Sequence, residues 1–106
     1  MQISQRYGAG RLTFALSGEL DQHEARQIFK SIEEALDEYM PRECVLDLDR
    51  LKFMDSSGIA LILKIQRQMR IVQGQVWLVS VHGQPLKVIE AAGLKPLLRV
   101  LLAKEG

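Results

Sequence analysis

Three amphipathic helical patterns alternate with apolar runs of strand length after an opening pair of short β-like segments, and few folds accept that alternation. Ile3 to Arg6 and Arg11 to Ser17 flank Tyr7-Gly8-Ala9-Gly10, a glycine-containing turn suited to a hairpin. In the second segment Leu12, Phe14 and Leu16 alternate with Thr13, Ala15 and Ser17, the period-two pattern of a strand with one strongly apolar face. Asp21 stands where a helix needs an N-cap, with Glu24 in the capping-box position. Ala25, Ile28, Phe29, Ile32, Ala35, Leu36 and Tyr39 then recur at helical spacing until Pro41 ends the helix.

Cys44 to Leu48 reads as a buried strand that runs into an acidic loop at Asp49-Arg50. A second helix is expected with Ile59, Ile62, Leu63, Gln66 and Met69 inward, closed by Gly74 as its C-terminal cap. Val76 to Val81, apolar at nearly every position, is expected to be an inner strand covered on both faces. Gly83-Gln84-Pro85 opens a short helix stopped by Gly93, and Leu97 to Leu102 supplies the last strand. The order is β-β-α-β-α-β-α-β. With right-handed crossovers it predicts an α/β layer fold, a mixed, mostly parallel β-sheet packed with α-helices.

The chain has 106 residues, 47% of them apolar, enough to fill one continuous core, so residues 1–106 are expected to form a single domain. Fourteen Lys and Arg against 13 Asp and Glu leave a net charge of +1, with no basic footprint, and nucleic acid is not an expected partner. Cys44 is the only cysteine and can form no internal disulfide, which suits a reducing cytoplasm. Residues 1–11 lack the apolar core of a signal peptide, and no apolar run approaches the roughly 18 residues that span a bilayer. A cytoplasmic protein without a membrane partner is expected.

The chemistry concentrates at Phe53-Met54-Asp55-Ser56-Ser57-Gly58, where a strand-associated loop enters a helix. Free backbone N–H groups and the positive end of the helix dipole converge there, so an anion is welcome. A phosphate on serine brings about −1.5 to −2 charges and three acceptor oxygens, which a helix N-terminus accommodates. Asp, Ser and Gly are also ordinary capping and turn residues, but one cap needs one oxygen-bearing side chain, whereas Asp55, Ser56 and Ser57 supply three in succession. One can cap while another stays exposed.

Phe53 to Gly58, followed by Ile59-Ala60-Leu61-Ile62-Leu63, resembles the signature of STAS-domain anti-sigma factor antagonists. Gly18-Glu19-Leu20-Asp21 resembles the Gly-Glu-Leu-Asp segment of the stage II sporulation antagonists of the sigma-F system, and Val45-Leu46-Asp47-Leu48 and Ala92-Gly93-Leu94 match further family positions. The resemblance implies partner switching. The unmodified antagonist binds an anti-sigma factor that is also a serine kinase, which frees the sigma factor; phosphorylation reverses this, and a serine phosphatase restores the active form. It maps the phosphorylated serine onto Ser56, with Ser57 serving as a cap or a support for the turn. Asp21 then has two readings, a helix cap and a family position near the serine, and both stay open. Leu61 and Ile65, one turn apart, are read as core residues unless exposed beside Ser56, where they would be the apolar centre of a partner interface. The chain stops at Gly106 soon after its last strand, whereas the sporulation antagonist continues into another helix.

Two other functions compete. Asp47-Leu48-Asp49 places two carboxylates where Mg²⁺ could be held for phosphoryl transfer, but further acidic ligands and a positioned lysine are wanting. A serine hydrolase would need a Gly-x-Ser-x-Gly elbow, and His23 and His82 are the only imidazole bases. Their spacing from each other and from Cys44 matches no metal site, and no phosphate-cradling glycine loop is present, so neither catalysis nor a metal or other cofactor is expected. The remaining alternative keeps the fold and makes the chain a scaffold or sensor module in another signalling complex.

Overall fold

Side-chain alternation in the first twenty residues produces a hairpin. In the computed structural model, which describes residues 1–96 and 99–102, strand β1 (Gln2–Gly8) runs antiparallel to β2 (Arg11–Leu20), with Gly8 opposite Arg11. Only Ala9 and Gly10 connect them, with φ of 53° and 77°. Positive φ at both positions gives a two-residue turn the twist that its strands need. The turn is therefore shorter than the sequence suggests, and Tyr7 and Gly8 belong to the strand.

The chain continues through α1 (Gln22–Tyr39), β3 (Glu43–Met54), α2 (Ser56–Ile71), β4 (Gln75–Val81), α3 (Gly83–Ala91) and β5 (Arg99–Leu102). Strands lie in the order β1-β2-β3-β4-β5, and every pair after the hairpin is parallel. Right-handed crossovers that advance in one direction place successive helices on one face of such a sheet. Burial agrees: Leu12, Phe14 and Leu16 of β2, Cys44, Leu46 and Leu48 of β3, and Val76 and Leu78 of β4 share one core with Ile28 and Ile32 of α1, Ile62 and Met69 of α2 and Ile89 of α3. Each large aliphatic or aromatic side chain taken fully out of water there contributes about 1.5–3 kcal/mol.

The opposite face is less covered than expected for β4. Trp77 and Val79 are only half-buried, while Val76, Leu78 and Val81 are buried, so β4 alternates instead of being enclosed on both sides. The Arg99 guanidinium of β5 lies 5.2 Å from the Trp77 ring centroid. Of the expected last strand, Arg99 to Leu102 are observed, and Leu97 and Leu98 lie outside the described residues.

Asp49 and Arg50 do not form a loop. They belong to the twelve-residue β3, which keeps pairing with β2 to Leu20–Met54 across two register shifts. Those irregularities change the period: beyond Leu48 the buried residues are Leu51 and Met54, three apart rather than two. A strand with that spacing does not look like one in sequence. The β4 side of the ladder ends at Asp47–Val79, so the last seven residues of β3 extend past their β4 partner.

Helix α2 also turns differently from the predicted stripe. Its buried residues are Gly58, Leu61, Ile62, Ile65 and Met69; Ile59, Leu63 and Gln66 are half-buried at the margins. Gly74 is not its left-handed cap, since Gln73 takes that conformation with φ 58°. Glycine at 74 answers a lack of space: a Cβ there would fall 2.6 Å from Met69 Cε and 2.9 Å from the Arg42 carbonyl oxygen. Among the described residues no helix is long and apolar enough to cross a membrane.

Candidate functional site at the carboxyl rim of the sheet

Parallel β2 and β3 each deliver the chain into a helix at their carboxyl ends, the rim where α/β sheets commonly place their sites. The two helix starts are built alike. Asp21, extended with φ −99°, caps α1 by accepting the Glu24 N–H at 2.9 Å. Asp55, with φ −103°, caps α2 by accepting the Ser57 N–H at 2.8 Å through Oδ1, while its carbonyl accepts the Gly58 N–H at 3.0 Å. The Asp55 N–H donates to the Leu20 carbonyl at 3.3 Å, which ties the start of α2 to the end of β2. Asp21 and Asp55 line a single open depression of about 540 Å³ with Gln22, His23 and Arg26. The structure thus makes Asp21 a cap and also a neighbour of the serine-bearing turn.

The three oxygen-bearing residues of that turn divide their tasks. Asp55 is the cap and is half-buried; Ser57 is half-buried and contributes its backbone N–H; Ser56, the first residue of α2, is exposed. A hydroxyl at that position faces solvent beside the free N–H groups of the first turn, and carrying a phosphate there would not consume the cap. Gly58 has a role that the sequence left open. It is buried inside the helix, and an added Cβ would stand 3.0 Å from Met54 Cβ and 3.2 Å from Leu20 Cδ2. Its missing side chain lets α2 close onto the ends of β2 and β3.

Leu61 and Ile65 do not form an exposed apolar patch. They are 2% and 0% exposed and pack into the core, so the condition for a partner-facing role is not met. Phe53, one residue from the end of β3 and three before Ser56 in sequence, is 39% exposed. A groove of about 320 Å³ between α1 and α2 is lined by Arg26, Phe29, Ser57, Ala60 and Lys64, with the Lys64 ammonium 5.2 Å from the Phe29 ring centroid.

One residue that holds the site was not singled out in the sequence. Gln84, in the first turn of α3, donates from Nε2 to the Met54 carbonyl at 2.8 Å and accepts the Met54 N–H through Oε1 at 2.9 Å. His82 adds a contact from Nε2 to the Asp49 carbonyl at 2.7 Å. No periodicity or motif announces such pairing, because thirty residues separate its members.

The remaining candidates are ordinary structural groups. Asp47 Oδ1 accepts the Asp49 N–H at 3.0 Å, and both are parts of β3. His23 lies 3.3 Å from Gln27 on the exposed side of α1. Cys44 is fully buried, and loss of hydration pushes its thiol up from 9.0 to about 12, which makes it unreactive. Among the described residues no group of three or more His, Cys, Asp or Glu side chains is placed to hold a metal ion.

Comparison with known proteins places this geometry. The STAS domain family matches residues 1–104. The anti-sigma F factor antagonist of Paenibacillus polymyxa is 31% identical over 94 residues, covering 89% of this chain and 80% of the relative. That of Lysinibacillus sphaericus is 36% identical over 81 residues, covering 76% and 69%. Among solved structures, the Bacillus cell fate determinant SpoIIAA in its phosphorylated form superimposes with a TM-score of 0.74 and 29% identity, over 93% of this chain and 90% of that one.

Proposed function

The chain belongs to the STAS-domain family and, within it, to the anti-sigma factor antagonists, and from that premise we propose that it is a partner switch whose state is written on Ser56. Unmodified, it binds an anti-sigma factor that is also a serine kinase, and the sigma factor is freed indirectly. The kinase phosphorylates Ser56 and ends the complex; a serine phosphatase resets it. The domain itself catalyses nothing, and the exchange takes place in the cytoplasm.

The observation that carries this reading is the division of labour at the turn: Ser56 is exposed while Asp55 already caps α2. The hydroxyl is free to be modified, and the helix keeps its cap afterwards. Switching then follows from charge. A dianion on Ser56 joins the carboxylates of Asp55 and Asp21 at one rim, and each like-charge pair a few ångströms apart costs roughly 1 kcal/mol even at the dielectric constant of water. A docked partner excludes water and raises that cost. The existence of a relative in a phosphorylated form supports the same reading.

The test is incubation with the chain's own anti-sigma kinase and ATP, followed by mass spectrometry. One added phosphate is expected at Ser56, abolished in Ser56→Ala. Full phosphorylation of Ser56→Ala with loss in Ser57→Ala would move the switch to the neighbouring serine.

A further inference from the structure

We propose that Gln84 is a positioning residue: its carboxamide stands in for a neighbouring strand at the end of β3 and thereby fixes the turn that presents Ser56, coupling that turn to α3. The functional part of this inference rests on the Ser56 reading above.

The argument begins with what β3 lacks. Its ladder with β4 ends at Asp47–Val79, yet the strand continues to Met54 immediately before Asp55. On the β2 side pairing persists, with Leu20 opposite Met54 and the Asp55 N–H bonded to the Leu20 carbonyl. β4 has meanwhile left the ladder. Ser80 takes φ 56°, and Gly83, at φ 63°, starts α3. An exposed strand end would ordinarily fray into water.

Gln84 replaces the missing neighbour. A carboxamide carries one carbonyl and one NH₂, the same donor and acceptor pair as a peptide unit. Here it engages both polar groups of Met54, at 2.9 and 2.8 Å, as an adjacent strand would. Met54 is itself fully buried, so the backbone that precedes Asp55 is held from the core, from β2 and from α3. A shift of α3 therefore reaches the backbone that precedes the phosphoacceptor turn directly through the Gln84 side chain.

The experiment compares the wild type with Gln84→Leu, Gln84→Glu and Ile89→Val. The last removes a buried methyl from the same helix and leaves the amide pair alone. NMR amide exchange is read at Asp55, Ser57 and Gly58, relative to Phe14 and Leu46 in the core. In Gln84→Leu these three amides should exchange at least about tenfold faster against the core reference, whereas Ile89→Val should leave the ratio unchanged. Gln84→Glu should regain protection as pH falls from about 6 to about 4, because a protonated carboxyl again offers one donor and one acceptor. With the anti-sigma kinase and ATP, Gln84→Leu should lose at least about fivefold in kcat with KM within a factor of two.

Wild-type exchange ratios in Gln84→Leu, or equal loosening in Ile89→Val, would overturn the positioning role. An unchanged kcat beside loosened amides would overturn the coupling to phosphorylation. Failure of the wild type itself to accept phosphate would overturn the Ser56 reading instead, and the exchange ratios would still decide the positioning role.

Discussion

Gly58→Ala sets two effects of known size against each other at the base of the site. Replacing a glycine by alanine inside a helix favours the helix by about 0.5–1 kcal/mol. Against this stands the space left by α2. The new methyl would meet Met54 Cβ at 3.0 Å, Leu20 Cδ2 at 3.2 Å and Met54 Cε at 3.2 Å, where comfortable carbon contacts lie near 3.5–4.0 Å. Met54 Cβ is fixed by the strand backbone, and Met54 and Leu20 are 0% and 1% exposed, so their side chains have no solvent to retreat into. Forcing a methyl into such a core costs about 1–3 kcal/mol. Overpacking should win by about 1 kcal/mol or slightly more, which lowers Tm by about 4–8 °C in a domain of this size. Urea and thermal unfolding followed by circular dichroism measure it. Leu20→Val removes the competing methyl, so the double variant should lose less than the sum of the two single losses. A Gly58→Ala protein as stable as the wild type would show that α2 sits farther from β2 and β3 than described, and the packing explanation of this glycine would fall.

The cap should separate into hydrogen bond and charge: Asp55→Ala is expected to cost about 1–2 kcal/mol in urea unfolding, and Asp55→Asn, which keeps the acceptor for the Ser57 N–H, only about 0.3–1. Ser56→Asp should weaken anti-sigma factor binding by about tenfold or more while Ser56→Ala preserves it; equal affinities in calorimetric titration would remove the electrostatic account. Because burial raises the Cys44 thiol from 9.0 to about 12, its contribution is complete below about pH 9 and is lost as pH rises from there towards 12. Between pH 8 and about pH 10.5 the wild type should therefore lose about 2 kcal/mol more than Cys44→Ala, and its thiol should ignore Ellman's reagent at pH 8 until the protein is unfolded.

The legible parts of the sequence were those where one local rule governs. Period-two alternation marked β2, three-and-four spacing marked α1 down to the buried Ala25, Ile28 and Ile32, and Asp21 capped α1 where capping chemistry placed it, while which residue of the Asp55-Ser56-Ser57 run caps α2 stayed open until the fold assigned it to Asp55. Legibility ended where two segments decide together. The second half of β3 was hidden because bulges against β2 change its buried spacing from two to three. The inner face of α2 was only partly readable: Leu61 and Ile65, read as core, are buried, whereas Ile59, Leu63 and Gln66, expected inward, sit half-buried at the margin because spacing alone does not locate the neighbouring helix and sheet. At the site, the residue types of the turn were readable, whereas the exposure of Ser56, the closeness required of Gly58 and the grip of Gln84 on Met54 exist only once distant segments meet.

The lone indole of the chain gives the sheet a built-in optical reporter. Trp77 lies on the less covered face with the Arg99 cation over its ring, and a nearby guanidinium alters both the emission wavelength and the quenching of an indole. Its fluorescence will therefore register whether β5 remains zipped to β4, at the far side of the sheet from the β2–β3 rim that carries Ser56. Emission and far-ultraviolet ellipticity that change at different urea concentrations would reveal an edge strand that lets go before the rest, whereas coincident transitions would identify the five strands as a single melting unit.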